Sequence, residues 1–265
     1  MTEKAVAQRP MDRLKIALGT VSVREQFENA LKENSGSFVA SIIDLVASDA
    51  TLQQCEPRLI IMEALKAATL KLPINRSLGF AWVIPYKHRG VAIPQFQLGY
   101  KGYVQLAMRT GQYRYLNTGM VFEGIEVHRD LLTGQVTFTG QAASEKAQGY
   151  FAHLQLLNGF TKTTYMTKEE VVAHAKRYSR SYGSEASAWA TNFDEMAEKT
   201  VLRDLLSHFG IMSIEMAVAL AVDTDEVELG HEIDESANKD VLAIAQPGAE
   251  ASAGEAPGKV EEAPF

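Results

Sequence analysis

A chain of 265 residues, 46% hydrophobic and 22% charged, can bury one sizeable core. No apolar run approaches the roughly 18 residues of a membrane span. The polar Met1–Pro10 stretch lacks the apolar core of a secretory signal, and a single cysteine, Cys55, excludes an internal disulfide framework. The net charge of −7 hides an asymmetry: residues 223–265 hold 12 acids and only Lys239 and Lys259, leaving 24 bases against 21 acids in residues 1–222. A mildly basic body with an acidic arm suits a nucleic-acid-binding protein, and a neutral domain with a solubilising tail fits the same charges.

Residues 1–20 show little apolar periodicity and read as a flexible N-terminus. Ser22-Val23-Arg24-Glu25 reads as a capping box, opening a helix with Phe27, Ala30 and Leu31 on one face. A second helix is predicted over Ser37–Ser48, with Phe38, Ile42, Leu45 and Val46 inward. A third opens at Pro57, a favourable first-turn residue, and runs to about Lys71 with Leu59, Met62, Ala64 and Leu65 on its apolar side. Phe80–Tyr86 and Ile93–Leu98 then read as paired strands around a basic turn, Lys87-His88-Arg89-Gly90. Gly99 to Gly111 reads as an amphipathic helix closed by glycine. Strands are predicted at Tyr113–Phe122, Gln135–Thr139 and Gly149–Leu157. The Asn158-Gly159 turn brings Phe160–Met166 back on the last of these. Thr167-Lys168-Glu169-Glu170 is a second capping box, starting a helix to about Tyr182, and helices follow near 186–209 and 213–222. Pro, Gly, Ala, Ser and acids fill the remainder, which buries too little to order itself.

The result is an α+β body: N-terminal helices, a central mostly antiparallel sheet with a packed helix, C-terminal helices, and a disordered acidic tail. Residues 1–20 form the flexible start, 21–222 the body and 223–265 the tail.

Catalytic signatures are absent from the sequence. Gly99-Tyr100-Lys101-Gly102 has neither the spacing nor the hydroxyl residue of a phosphate-binding loop. The six histidines are scattered without metal-ligand spacing, and Glu195 and Glu198 read as a solvated stripe. Cys55 reads as a structural thiol. Neither a metal nor a cofactor is expected, and the protein reads as a non-enzyme. Basic residues interleaved with aromatics occur twice instead. One run holds Tyr100, Lys101, Tyr103, Arg109, Tyr113, Arg114 and Tyr115; the other holds Lys176, Arg177, Tyr178, Arg180 and Tyr182, followed by Trp189, Lys199 and Arg203. Cations neutralise phosphates and aromatic faces stack on bases, a combination suited to single strands. The same residues also read as core tyrosines and solubilising surface bases.

Three blocks resemble the RecT family of phage single-strand annealing proteins: Leu72 through Tyr86, Gln95 through Tyr103, and Trp189, Phe193, Met196-Ala197 with Lys199 through Arg203. They stand in family order and the likeness spans roughly residues 20–222. The resemblance implies a core related to the Rad52 and Red-beta annealing proteins. It implies single-stranded DNA binding and ATP-independent annealing in phage-type homologous recombination, in the cytoplasm of a bacterial host. It also implies ring or helical homo-oligomers on DNA, an annealed duplex product, a 5′-to-3′ exonuclease partner and host single-strand-binding or repair proteins. A coat protein that protects single strands without annealing them is the alternative. Lys101, Lys199 and Arg203, inside the matching motifs, and Arg109, just past the second, are the first candidates for DNA contact. Lys87, Arg76, Lys176, Arg177 and Arg180 follow by charge and neighbourhood. Tyr100 and Tyr103 fit either stacking on bases or packing beneath the groove. Glu198 and Asp204 depart from the basic character expected of that helix.

The last residues, Glu261-Glu262-Ala263-Pro264-Phe265, resemble the acidic Pro-Phe tip of bacterial single-stranded-DNA-binding proteins. That likeness makes Pro264 and Phe265 candidates for docking a partner. A plain solubilising tail, or acids that compete with DNA for the basic groove, fit the same residues.

Overall fold

The computed structural model describes residues 9–88, 90–179, 181–185 and 187–223, without the side chains of Lys87 and His88. The chain divides into units Met1–Glu226 and Val227–Phe265, and all described residues lie in the first. The expected acidic tail, with Pro264 and Phe265, lies outside the described residues apart from Asp223.

Four helices open the body: α1 (Pro10–Leu18), α2 (Val21–Leu31), α3 (Ser35–Ala47) and α4 (Pro57–Thr69). Residues 10–18, within the expected flexible start, are helical. Pro10 fixes the first turn, and Leu14 and Leu18, one helical turn apart, are fully buried. Two apolar anchors are too short a pattern to register as periodicity. The Ser22 capping box does not form either. Thr20 is the N-cap of α2 and its hydroxyl turns back to the Ala17 carbonyl at 2.9 Å. α3 buries Phe38, Ile42, Leu45 and Val46 as expected, and Phe38 packs on Phe27 of α2 with ring centroids 5.8 Å apart. α4 starts at Pro57, but its buried face is Ile60, Ile61, Ala64, Ala67 and Ala68, leaving Met62 half exposed. The inward stripe is rotated from the expected one because two helical surfaces and a hairpin all press on this helix.

The hairpin of β1 (Ala81–His88) and β2 (Val91–Leu98) lies on α4. Pro85 stands opposite Pro94 in its register, and the Phe96 N–H turns out of the ladder to donate to Glu63 Oε2 of α4 at 2.7 Å. α5 (Tyr100–Arg109) follows at once, ending at Gly111 in the left-handed region (φ +65°). A separate three-stranded antiparallel sheet has the order β3 (Tyr113–Phe122), β6 (Ala147–Leu156), β7 (Thr161–Thr167). Between β3 and β6 the chain forms a second hairpin, β4 (Ile125–Arg129) with β5 (Val136–Gly140). β4 was not anticipated: its residues alternate weakly and none is buried.

The inner face of the sheet presents Tyr150, Ala152, Leu154 and Leu156 to the helices behind it. Those are α6 (Lys168–Tyr178) and α8 (Phe193–Phe209); α7 (Ala188–Thr191) packs on α8, and a helix over residues 214–223, here α9, follows. Both bonds of the Thr167–Glu170 capping box form at the start of α6. α8 buries Ala197, Val201, Leu202, Leu205 and Leu206 against the sheet. The outer sheet face carries Phe151, on which Phe138 of the β4–β5 hairpin packs at 5.4 Å. The architecture is the expected one: helices, an antiparallel sheet backed by helices, and a C-terminal helical region. Among the described residues no helix is long and apolar enough to cross a membrane.

Candidate nucleic-acid interface

The Gln95–Tyr103 motif positions α5 through two glycines. The Gly99 N–H donates to the Phe80 carbonyl at 2.9 Å. A Cβ on Gly99 would overlap the Gly79 carbonyl oxygen, and one on Gly102 would overlap the Phe80 carbonyl oxygen. Only bare backbone lets the first turn of α5 approach the entry of β1 this closely. That seating divides the helix: Tyr103, Leu106 and Ala107 are buried, while Lys101, Met108 and Arg109 face solvent.

Tyr100 and Tyr103, one turn apart, reach toward β3 and α8. Thr118 Oγ1 of β3 donates to Glu198 Oε2 at 2.5 Å and lies 3.1 Å from the Tyr100 hydroxyl. The Tyr150 hydroxyl donates to Asp194, one turn before Glu198 on α8. Tyr103 is fully buried, and its hydroxyl donates to Asp223 Oδ2 of α9 at 2.6 Å. Burial first, and the Asp223 charge second, push the Tyr103 phenol well above its ordinary pKa, so it is a permanent donor. Lys199 Nζ lies 3.4 Å from Asp223 Oδ1 and Arg203 Nε 3.4 Å from Asp223 Oδ2. The Asp223 side chain is 4% exposed, against 14% for Lys199 and 26% for Arg203. Four of the sequence candidates, Tyr100, Tyr103, Lys199 and Arg203, are thus brought to one seam between α5, β3, α8 and α9.

The remaining candidates stand elsewhere. Lys101 is exposed on the opposite side of α5. The Arg109 guanidinium donates to the Leu70 and Lys71 carbonyls at 2.8 and 2.9 Å, closing the C-terminal end of α4. Arg76 pairs with Asp49 at 2.8 Å among the N-terminal helices. Lys176 and Arg177 are exposed in the last turn of α6, with Arg177 over the Tyr178 ring at 5.1 Å. The Lys87 side chain and Arg180 lie outside the described residues. Glu198 and Asp204 are both engaged, Glu198 with Thr118 and Asp204 with His208.

Asp223 is the residue that sequence reading missed, counted there as the first acid of the tail. The spacing Met216, Ala219-Leu220, Asp223 places it on the buried face of α9, and that period was the available signal. Two clefts at the sheet rim lack a cationic excess. One, of about 570 Å³, sets Glu123, Glu145, Glu169 and Asp194 against Lys146 and Lys168; the other, of about 470 Å³, sets Arg129, Lys162 and His174 against Glu170 and Asp204. Among the described residues no three His, Cys, Asp or Glu side chains converge as metal ligands. Cys55 is buried, 3.6 Å from the Thr51 carbonyl, and burial raises its thiol pKa, which suits packing rather than reactivity.

The described seam lies within the part of the chain that known proteins resemble. The RecT family model matches residues 36–241. The uncharacterised protein YqaK of Bacillus subtilis is 41% identical over 229 residues, covering 84% of this chain and 77% of that protein. Protein RecT of Escherichia coli is 26% identical over 181 residues, covering 66% of each. All three sequence blocks that resemble the family, from Leu72 to Arg203, fall inside the matched span, and the chain belongs to the RecT family.

Proposed function

We propose that this protein binds single-stranded DNA and anneals it to its complement without nucleotide hydrolysis, as a step in phage-type homologous recombination. The observation that carries the reading is the convergence of Lys199 and Arg203 beside α5 within the RecT-family span. Together with exposed Lys101 on α5, and Lys176 and Arg177 on α6, they provide cations to hold phosphates while base edges stay free. Pairing then drives the reaction, because stacking contributes about 1.4 kcal/mol per base-pair step. No ATP is needed when the product is downhill. Tyr103 acts from beneath, as a buried donor that orders the charged groups; Tyr100 helps join α5, β3 and α8 beside it through Thr118 and Glu198. Arg109 holds α4 and is structural in this reading.

Residues 21–222 serve as the annealing and oligomerising unit, assembling as a ring or helical filament, with the acidic segment after it as an arm for an exonuclease or host single-strand-binding protein. The test is annealing of two complementary fluorescent oligonucleotides across a salt series without ATP. Acceleration that falls steeply with salt and is lost in Lys199→Ala and Arg203→Ala supports the proposal. Tight binding without acceleration makes the protein a strand coat, and absence of salt-sensitive binding refutes a DNA role.

A further inference from the structure

The three groups that meet Asp223 form a complete oxyanion site: a neutral hydroxyl donor, an ammonium and a guanidinium. The carboxylate in it belongs to the protein's own α9. The geometry points to a self-occupied phosphate subsite, in which the Asp223 side chain fills the position of a DNA phosphate on Tyr103, Lys199 and Arg203 until a strand displaces it. This rests on reading Lys199 and Arg203 as DNA-facing cations and adds a regulator to that site.

Several features make Asp223 an exchangeable occupant rather than a fixed strut. Its bond to Tyr103 is short at 2.6 Å, but both ion pairs are 3.4 Å, longer than the roughly 2.7–2.9 Å of a well-formed charge-assisted bond. Lys199 and Arg203 keep part of their side chains in solvent, so a phosphate can reach them from outside. α9 holds on through buried Met216, Ala219 and Leu220, with Val218 and Val222 partly buried beside them, while Ile214 at its start is 83% exposed. A ten-residue helix with three fully packed anchors opens at lower cost than the body. The exchange is balanced in charge: one anion leaves two cations and another replaces it. Asp223 therefore sets a threshold, favouring long strands, whose many phosphates bind together, over short or isolated anions.

The test uses the full-length protein and oligo(dT) of 30 nucleotides. Asp223→Asn keeps the shape and an acceptor for Tyr103 but removes the charge. It is expected to bind about tenfold more tightly, the order of one charge-assisted contact, with a salt slope steeper by about one per subunit. Adding oligo(dT) to the wild type is expected to speed amide hydrogen exchange over residues 214–223, since the strand displaces the helix's anchor. A purely structural Asp223 predicts the reverse in both assays: equal or weaker binding in the variant, and unchanged or slower exchange with DNA. Either of those results overturns the subsite. The exchange measurement decides the matter even if Asp223→Asn folds poorly. If Lys199→Ala and Arg203→Ala also bind oligo(dT) like wild type, the DNA-facing reading of those cations falls too; if they bind weakly, that reading stands and only the self-occupancy is lost.

Discussion

Arg109 ends the helix that a family motif opens and is cationic, yet its geometry assigns it to the scaffold. Its two hydrogen bonds, at 2.8 and 2.9 Å, end on the Leu70 and Lys71 carbonyls, the otherwise open end of α4. Leu70 is fully buried, and Lys71 is held in the left-handed region at φ +54°, which is costly for a non-glycine residue. Hydrogen bonds to a charged group contribute about 1.5–3 kcal/mol each, and the bond to Lys71 is exposed and counts for less. Arg109→Ala is therefore expected to lose about 3 kcal/mol. For a body of roughly 200 residues that lowers Tm by about 6–12 °C, read by circular dichroism or calorimetry. Arg109→Lys recovers only part of this, because one ammonium cannot reproduce the fork across two carbonyls. Measured at 20 °C, where the variant stays folded, oligo(dT) affinity is expected within about twofold of wild type, the effect of losing one distant surface charge. An unchanged Tm with a tenfold loss of affinity would refute the reasoning and return Arg109 to the strand.

Gly102→Ala places a methyl group against the Phe80 carbonyl oxygen and the Leu98 side chain, so α5 must shift from the hairpin. The expected loss is at least about 3 kcal/mol, visible as a fall in soluble yield and Tm, whereas Gly36→Ala, with open space around it, is expected to be neutral or stabilising. His153 and His174 both have depressed pKa values, caused first by burial; for His174 the Arg203 charge adds to the depression and Asp204 opposes it. The unfolded chain binds these protons near pH 6.5 and the folded protein binds them only at lower pH. Their contribution to stability is thus complete above about pH 6.5 and is lost as pH falls through the folded values. Tm is expected to drop on acidification from pH 7 to 5, and His174→Phe, which keeps the ring beside Tyr178, to flatten that drop; an unaltered slope in the variant would contradict the assignment.

Elements whose signal is local were legible in the sequence. Pro57 at a first turn, the Thr167–Glu170 box and the Asn158-Gly159 turn each specify backbone geometry through one or two residues, and each appears where expected. The face of α4 was misjudged because its burial is decided by α1, α2 and the β1–β2 hairpin together, none of which is encoded in the helix itself. The site was half legible for a related reason. Charge and aromaticity mark Tyr100, Tyr103, Lys199 and Arg203 as one class of residue, and the fold does bring them together. The partner shared by Tyr103, Lys199 and Arg203 is 120 residues from Tyr103 in sequence, and only tertiary structure joins a tyrosine on α5 to an acid on α9. Arg109 shows the converse: a side chain of the right charge on the right helix whose partners are backbone carbonyls, groups that no sequence displays.

The proline pair of the first hairpin bears on how such chains can associate. Phe96 turns its N–H outward to Glu63, so the ladder position two residues earlier, Pro94, also faces outward, as does Pro85 across from it. Neither imino acid has a hydrogen to offer. Both rims of this two-stranded ribbon are therefore insulated at their midpoints, one further by a glutamate from α4. A neighbouring chain cannot zip onto the ribbon and lengthen it into a continuous sheet. Runaway β-addition is closed off at this site, so any association through this hairpin must use its side-chain surfaces.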